Sequence, residues 1–488
     1  MSLIQITDLT FAYEGSYNTI FENVNLKLDT NWRLGLTGRN GRGKTTLLRL
    51  LMGEQEYRGS ISANVSFLYF PYQVNDPWKA TGEIVQTICP EAQKWELLRE
   101  LSYLDIEEEV LARPFETLSG GQRTKVLLAA LFMGENRFLL IDEPTNHLDM
   151  EGRKALSRYL RKKQGYILVS HDRAFLDGCV DHILSINKTD IMVQQGNFST
   201  WWENKQRQDT FEQQQNEKLK KEVKRLRETA REKSSWSVRT EKEKWGGDCT
   251  DRGYAGHKAE KMMKRAKAIE RRAQAVAEEK ASLLKNLDVA SDLKLCPLHH
   301  YAATLIRMEN VTARYGKIIA CKDVCLEVKQ GERIALQGKN GCGKSTLLKI
   351  ICGKEIDFTG YLNKASGLKI SYVSQETDEL QGDLSDYADR YGIDESQFKT
   401  ILRKMGFMRD QFEKNMADFS GGQKKKVLIA RSLCEKAHLY IWDEPMNYID
   451  VLSRMQIEDL LLTYQPTLLF VEHDARFCSR IATKVIEL

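Results

Sequence analysis

Two nearly identical stretches, "GRNGRGKTT" (Gly38–Thr46) and "GKNGCGKST" (Gly338–Thr346), decide the fold of this chain. Both fit the pattern G-x-x-x-x-G-K-[S/T]. In that pattern a strand ends in a glycine-rich turn whose backbone N–H groups surround phosphate oxygens at the start of a helix. The sequence therefore predicts two phosphate-binding loops. Their predicted nucleotide-contacting residues are Gly38, Asn40, Gly41, Gly43, Lys44, Thr45 and Thr46, and Gly338, Asn340, Gly341, Gly343, Lys344, Ser345 and Thr346.

Each loop is accompanied by side chains suited to a nucleotide and a metal ion. Lys44 and Lys344 are expected to reach the β- and γ-phosphates of ATP. The apolar runs "RFLLID" and "HLYIWD" are typical of buried parallel strands, which would deliver their final aspartates to Mg²⁺ beside the loop hydroxyls. The residues predicted in this way to hold the ion are Thr45, Asp142, Ser345 and Asp443.

A glutamate follows each of these aspartates, and a histidine ends a later apolar strand. Glu143 and Glu444 stand where a carboxylate can orient and activate an attacking water molecule. His171 and His473 are placed to touch the γ-phosphate. A single histidine at a strand end is more often structural, but these two recur at the same place in the order of motifs. The four residues are therefore the candidate catalytic groups of an ATP hydrolase.

The repeat covers a whole domain. An aromatic residue precedes each loop, and a glutamine, an SGGQ segment, the carboxylate pair and the histidine follow in the same order. Such long-range self-similarity indicates a duplication, so we predict an α/β protein with two tandem P-loop domains. The further matched residues are Tyr13, Gln73, Ser119, Gly120, Gly121 and Gln122 in the first copy, and Tyr315, Gln375, Ser420, Gly421, Gly422 and Gln423 in the second.

The composition of the 488 residues limits the class of protein. Charged residues make up 29% of the chain, and the sequence has no apolar run of the ~18 residues that a membrane-spanning helix needs. The stretch "MSLIQITDLTFAY" lacks the pattern of a secretory signal. The ten cysteines are scattered without zinc-ligand spacing. We expect a cytoplasmic protein with reduced cysteines and no stable membrane association.

Residues 201–297 interrupt the repeat, which divides the chain into domains 1–200, 201–297 and 298–488. The segment "NEKLKKEVKRLRETAREK" favours a helix, and "WGGDCTDRGYAG" (Trp245–Gly256) favours a turn. Apolar residues on alternating steps of four and three predict that two long helices pair as a coiled-coil hairpin, about 45 to 55 Å long. The apolar positions are Leu219, Val223, Leu226 and Ala230 in the first arm, and Met262, Ala266, Ile269, Ala273, Val276, Leu283 and Leu287 in the second.

The positive charge of the chain is concentrated in this insert. Residues 201–290 contain 23 Lys and Arg against 16 Asp and Glu, whereas the whole chain has a net charge of +5. A basic hairpin is suited to the phosphate backbone of RNA, although helices of mixed charge are also commonly just solvated. Trp236, Trp245 and Tyr254 near the predicted turn favour a partner, because exposed aromatic side chains are costly and can stack on bases.

The order of these motifs resembles the ATP-binding cassette family over about four fifths of the chain. In that family two cassettes close head to tail around two ATP molecules. The resemblance implies that Ser119, Gly120 and Gly121 cap ATP bound at Lys344, and that the second SGGQ segment caps ATP at Lys44. ATP binding would then close the pair, and hydrolysis would release it. Because both cassettes lie in one chain, we expect a monomer with intramolecular pairing.

The resemblance also assigns the remaining matched residues. Tyr13 and Tyr315 would stack on adenine, and Gln73 and Gln375 would join the nucleotide and Mg²⁺ sites. Both sites keep the lysine, the carboxylate pair and the histidine, so both are expected to hydrolyse ATP. The second copy departs from the commoner "DEPTNHLD" pattern at Met446 and Tyr448, so equal turnover of the two sites does not follow from the resemblance.

Three classes of function fit two cassettes. A transport motor would need a separate membrane partner and no basic hairpin. In a DNA-repair or chromosome-organising ATPase the coiled coil interrupts a single cassette, whereas here each cassette is complete outside residues 201–297. The third class is a translation factor, and two cassettes joined by a charged helical hairpin resemble the ABC-F family.

Within ABC-F, "RNGRGKTTLLRLL", "WDEPMNYID" and "VEHDARF" look like the antibiotic-resistance branch of the Lsa and Vga type. That resemblance implies binding to the exit site of the bacterial ribosome through residues 201–297, which would contact large-subunit rRNA and the tRNA in the peptidyl site. The tip, Lys242–Lys261, would approach the peptidyl-transferase centre, so that lincosamide, pleuromutilin or streptogramin A antibiotics leave. A housekeeping ABC-F factor without a resistance role is the alternative.

Overall fold

The structure is a computed structural model. It describes residues 2–13, 19–146, 148–187, 190–243, 260–261, 263–265, 267–269, 271–272, 293–316 and 318–488. The chain divides into two compact units. One consists of Met1–Ile186, Asp190–Ser199 and Ala290–Leu488, and therefore holds both P-loop domains; the other consists of Asn187–Thr189 and Thr200–Val289.

The first P-loop domain combines two sheets with helices. A three-stranded antiparallel sheet has the order Phe21–Asp29, Leu3–Phe11, Arg58–Ser62. A six-stranded sheet has the order Ser66–Phe70, Arg137–Asp142, Tyr166–Val169, Arg33–Thr37, His182–Ile186, Ile191–Gln195, and only its last pair is antiparallel. The helices are Lys44–Leu51, Thr81–Ile88, Lys94–Tyr103, Gly120–Leu131, Met150–Arg161 and Arg173–Cys179, with 3-10 turns at Glu108–Ala112 and Phe115–Thr117.

The second P-loop domain repeats this plan. Its antiparallel sheet has the order Ile318–Lys329, Thr304–Tyr315, Asp357–Lys364. Its parallel sheet has five strands in the order Ile370–Val373, Leu439–Asp443, Leu468–Val471, Arg333–Gln337, Lys484–Glu487. The helices are Lys344–Ile351, Leu384–Arg390, Glu395–Lys404, Gly421–Cys434, Val451–Tyr464 and Ala475–Ile481, with 3-10 turns at Arg409–Glu413 and Met416–Asp418.

The apolar strands put the site residues at one edge of each parallel sheet. Arg137–Asp142 and Leu439–Asp443 pair in parallel with Tyr166–Val169 and Leu468–Val471, and the side chains in all four strands are almost wholly buried. Buried on both faces, such strands must be apolar along their length, which explains the two continuous runs in the sequence. The carboxyl ends of the strands meet at the loops that carry the predicted catalytic residues.

A helix of 46 residues, Phe198–Glu243, begins in the last two residues of the first unit's Asp190–Ser199 segment and continues through the second unit from Thr200. Ion pairs four residues apart line it, including Lys205–Asp209 and Lys224–Glu228, and Leu219, Val223 and Leu226 are half-buried. Residues 260–261, 263–265, 267–269 and 271–272 are also helical. The predicted turn at 245–256, Tyr254 and most of the second arm lie outside the described residues. The first arm is therefore helical, whereas pairing into a coiled-coil hairpin stays a prediction.

Candidate ATP sites

Each glycine-rich turn leads directly into a helix. Gly43 and Gly343 precede the helices that start at Lys44 and Lys344, and they have φ angles of 89° and 90°. A residue with a side chain is strained in this left-handed conformation, so the turn requires glycine. Both lysine ammonium groups fold back on their own loop, with Nζ donating to the carbonyl of Gly38 or Gly338 at 2.8 Å. The loop carbonyls thus hold the cation at the loop itself, where it can meet a phosphate.

The aspartates predicted to hold Mg²⁺ lie beside the loop hydroxyls. In the first domain Thr45 Oγ1 donates to Asp142 Oδ2 at 2.9 Å, and the Tyr69 hydroxyl donates to the same oxygen at 3.2 Å. In the second domain both carboxylate oxygens of Asp443 are buried and have no hydrogen-bond partner among the described residues. Burial raises the pKa of Asp443 to about 6, although the neighbouring Ser345 hydroxyl opposes this rise.

The two glutamates share an unusual backbone conformation. Glu143 and Glu444 have φ angles of 51° and 47°, which lie in the left-handed region that non-glycine residues seldom occupy. Hydrogen bonds from their amides to the carbonyls of Val169 and Val471, at 2.9 and 3.0 Å, fix this conformation. Strained backbone of this kind is concentrated at functional sites, where surrounding structure must hold it.

The surroundings of the two carboxylates differ. Burial, followed by repulsion from Asp142, raises the pKa of Glu143 to about 8. The pKa of Glu444 is lowered, because His473, Lys425 and other neighbours outweigh its desolvation. The pKa values of these equivalent glutamates are therefore shifted in opposite directions in the two sites.

Both predicted histidines lie beside their glutamates. His171 Nε2 is 3.4 Å from Glu143 Oε1, and His473 Nε2 is 3.5 Å from Glu444 Oε1. Burial and nearby cations, Lys44 foremost, lower the pKa of His171 well below its ordinary value. The His171 imidazole is accordingly neutral, and a neutral ring can donate one hydrogen bond towards a phosphate.

The glutamines and tyrosines are placed less symmetrically. Gln375 Nε2 donates to Glu444 Oε2 at 3.0 Å, whereas Gln73 is exposed and makes no side-chain hydrogen bond to any described residue. The Tyr13 hydroxyl lies 2.9 Å from Thr46 Oγ1 at the first loop. Tyr315 is half exposed on the wall of a cavity at the second loop.

That cavity joins the second loop to the first SGGQ segment. Its volume is about 1030 Å³, and Lys344, Ser345, Gln375, Glu444 and His473 line one side. Residues of the first domain line the other side, including Ser119, Gly120, Gly121 and Gln122. The structure therefore brings together the residues that the family resemblance assigns to one composite ATP site.

Each SGGQ segment begins a helix and exposes its amino end. The side chain of Ser119 accepts from the amide of Gln122 at 3.2 Å, while Gln122 Oε1 accepts from the amide of Ser119 at 3.1 Å. Ser420 and Gln423 form the same reciprocal pair. These capping boxes leave the amides of the two glycines at the helix start, where the helix dipole favours an anion.

On the other side the first loop touches the second domain directly. Asn40 Nδ2 donates to the carbonyl of Tyr448 at 2.9 Å. Beside this contact, a Cβ on Gly422 would lie 2.5 Å from the same carbonyl oxygen and 2.9 Å from Asn40 Nδ2. Only glycine permits this approach, which places Gly421 and Gly422 at the loop that carries Lys44.

Several residues that contribute to these sites carry no motif signal of their own. Asp450 accepts from Lys426 Nζ at 2.5 Å, and both side chains are buried. Arg173 of the first domain and Glu458 of the second form a buried ion pair, and Arg480 Nη1 donates to the second oxygen of Glu458 at 2.7 Å. No local sequence pattern indicates an ion pair between residues 285 positions apart.

The residues present fit ATP and Mg²⁺. The buried carboxylate of Asp443, beside the Ser345 hydroxyl, supplies hard oxygen ligands, which is the donor chemistry that Mg²⁺ prefers. A loop with a fixed lysine and three glycines at positive φ provides amides for the phosphates. Tyr315, Ile318 and Ile319 give the same cavity an apolar wall for a base.

Fold and site thus define an ATPase with two P-loop cassettes that face each other head to tail. A family model described as "ABC transporter" matches residues 21–146 and 321–447, which together make up just over half of the chain. The chain belongs to the ATP-binding cassette family and, within it, to the ABC-F group. Its cassettes are ATP-binding domains, so the predicted family is confirmed.

Relatives match along nearly the whole chain. The "Putative ATP-binding protein YdiF" of Bacillus subtilis is 28% identical over 100% of this chain and 80% of its own length. The "Ribosome protection protein VmlR" of B. subtilis is 28% identical over 97% of this chain and 85% of its own length. The "Probable ATP-binding protein YheS" of Escherichia coli K12 is 27% identical over 93% of this chain and 74% of its own length.

Solved structures share the fold at lower identity. An archaeal ribosome recycling factor, aABCE1, in complex with the stalk protein aP1, superposes with a TM-score of 0.64 at 20% identity, covering 98% of this chain and 87% of that one. The structure titled "RNase-L Inhibitor" superposes with a TM-score of 0.62 at 20% identity, covering 99% of this chain and 87% of that one. No helix in the described part of the chain has the length and apolar character to cross a membrane.

Proposed function

We propose that this protein is a cytoplasmic ABC-F ATPase that converts ATP and water to ADP and phosphate and acts on the bacterial ribosome. The observation that carries the proposal is the cavity in which the Lys344 loop faces Ser119–Gly121 of the other cassette. Only a ligand that touches both walls, as ATP does in this family, would make closure of the two cassettes depend on nucleotide.

The proposed chemistry uses the same residues in each half. Lys44 and Lys344 bind the β- and γ-phosphates, and the opposite SGGQ amides complete the phosphate site. Glu143 and Glu444 orient the attacking water, and His171 and His473 contact the γ-phosphate. Mg²⁺ would neutralise phosphate charge, held by Thr45, Asp142 and Gln73 in one site and by Ser345, Asp443 and Gln375 in the other.

The ribosome is proposed as partner because of one relative and one property of the insert. VmlR is named a ribosome protection protein and is similar over almost the whole chain. Residues 201–297, proposed as the domain between cassettes 1–200 and 298–488, contain the excess of basic residues. We propose that they contact large-subunit rRNA and the peptidyl-site tRNA, with Lys242–Lys261 nearest the peptidyl-transferase centre.

Resistance to lincosamide, pleuromutilin or streptogramin A antibiotics is the finer part of this proposal. A housekeeping ABC-F role is the alternative, and relatives named only as ATP-binding proteins match equally well. Expression in a sensitive host separates the two, because only the first predicts a higher inhibitory concentration of these drugs. A transport motor is disfavoured, since it leaves the basic insert without a purpose.

Co-sedimentation with bacterial ribosomes tests the main proposal. Glu143→Gln together with Glu444→Gln removes both water-activating carboxylates while sparing ATP binding, so this variant should pellet with ribosomes only when ATP and Mg²⁺ are present. The matched control carries Glu54→Gln and Glu355→Gln, which change exposed glutamates outside the sites and should bind no more than the unmodified protein. A trapped variant that stays in the supernatant even at low salt would refute ribosome binding.

A further inference from the structure

A buried lysine lies beneath the second ATP site. Lys425 is only 2% exposed, and its Nζ donates to the carbonyl of Ser374 at 2.9 Å and to that of Asp443 at 3.4 Å. Ser374 precedes Gln375, and Asp443 precedes Glu444. One cation therefore ties together the two backbone segments that present the glutamine and the proposed catalytic glutamate.

A buried glutamate nearby also links two backbone segments of the second site. Glu472 is 3% exposed, and its carboxylate accepts from the amides of Met446 and His473, both at 2.8 Å. It therefore joins the loop that follows Glu444 to the loop that carries His473. Lys425 and Glu472 have opposite charges: burial lowers the pKa of the lysine to about 8, while Asp443, Glu444 and Glu472 act to raise it.

The first cassette has an uncharged side chain at each of the two aligned positions. In the aligned motifs Thr124 stands where the second cassette has Lys425, and Ser170 stands where it has Glu472. Both are buried. The hydroxyl of Ser170 accepts from the amide of Asp172 at 3.2 Å and lies 3.5 Å from the Thr145 hydroxyl. A pair of charged side chains in one cassette thus corresponds to a pair of small hydroxyl side chains in the other.

We propose that Lys425 and Glu472 are positioning residues of the second ATP site, which hold Gln375, Glu444 and His473 in their working arrangement before nucleotide binds. The inference rests on the ATP hydrolysis proposed above. The contact of Gln375 with Glu444 at 3.0 Å agrees with it, as does the lack of such a contact at Gln73 among the described residues. Neither residue of the pair lines the cavity, so both act through the groups that they hold.

The test is steady-state ATP hydrolysis by the full chain carrying Glu143→Gln, in which turnover comes from the second site. Lys425→Thr and Glu472→Ser should each lower kcat by about tenfold or more and leave KM for ATP within about twofold, because the altered step is water activation rather than binding. The double replacement copies the first cassette and leaves no uncompensated charge. Relative to the Glu143→Gln parent, the kcat of the double variant should exceed the product of the relative kcat values of the two single variants.

Two controls keep the result interpretable. Lys436→Thr makes the same replacement at an exposed lysine and should leave kcat and KM unchanged. Lys425→Arg keeps a buried cation that can donate to both carbonyls and should recover part of kcat. Thermal unfolding of every variant identifies those that merely fail to fold.

Three results with the Lys425 and Glu472 variants would overturn the inference: a kcat for Lys425→Thr within about twofold of its parent, a rise in KM equal to the loss in kcat, or strictly multiplicative single effects in the double variant. A Glu143→Gln parent without turnover would also overturn it if the unmodified chain hydrolyses ATP. An unmodified chain without ATPase activity would instead refute the proposed function. Ribosomes are absent from this assay, so the ribosome proposal does not affect its result.

Discussion

The two ATP sites come from one duplicated plan but are not equivalent. At the first loop Asn40 donates a hydrogen bond across to Tyr448, and Gly422 lies against both. At the second loop a cavity of about 1030 Å³ separates Lys344 from Ser119 and Gly120. Residues of both cassettes therefore border each site, through a direct hydrogen bond at the first loop and across a cavity at the second.

One ionic contact between the cassettes has no counterpart in the duplicated plan. The buried pair of Arg173 and Glu458 joins the helix after His171 to the second cassette. The positions aligned with these two residues hold Ala475 and Ser157, which cannot form an ion pair. Duplication has preserved the nucleotide-binding motifs, while the contacts around them have diverged.

Loss of the cross-cassette ion pair should have the largest effect on stability. Arg173→Ala leaves the buried Glu458 with Arg480 as its remaining partner, so we expect a loss of about 3 kcal/mol and a clearly lower thermal midpoint. Arg476→Ala, an exposed arginine in the helix aligned with that of Arg173, is the control and should shift the midpoint by less than a degree or so. Equal shifts for the two variants would mean that the ion pair does not stabilise this side of the interface.

The sequence predicts features formed by residues that lie close together in the chain, but it does not predict contacts between distant segments. The sequence predicts the loops, Asp142, Asp443 and the SGGQ segments, because the glycines, caps and apolar strands that form them are contained in short segments. The ion pair of Arg173 and Glu458 could not be predicted, since it depends on how the cassettes meet. The left-handed backbone conformation of both glutamates could not be predicted either, because the neighbouring strand imposes it.

The pH dependence of stability should distinguish the two catalytic glutamates in nucleotide-free protein. Glu143 has a folded pKa of about 8, above its unfolded value, so the folded chain binds the extra proton and loses stability as the pH rises from about 4.5 to 8. Glu143→Gln removes this loss. The thermal midpoint of the variant, relative to that of the unmodified chain, should therefore increase as the pH rises. Glu444 has a lowered pKa and contributes stability above about pH 4.5, so Glu444→Gln should lower the midpoint at pH 7.

Thermal midpoints measured from pH 5 to pH 9 without nucleotide or Mg²⁺ test this contrast. The difference between each variant and the unmodified chain is the relevant quantity, since it cancels the titration of all other groups. Two difference curves of the same sign and slope would show that the glutamates have equivalent surroundings. The asymmetry would then lie in the cross-cassette contacts alone.

The smallest expected effect belongs to the hydrogen bond across the first site. Asn40→Ala removes the donor to the Tyr448 carbonyl, and one such bond contributes about 1 kcal/mol. Without nucleotide the first site should then separate more readily, so protection of the Tyr448 region from hydrogen exchange should fall, while the region around Ser119 stays as it was. Asn31→Ala, which changes an exposed asparagine in a turn, should alter neither region. If the Tyr448 region and the region around Ser119 lost protection together, the two sites would open as one unit.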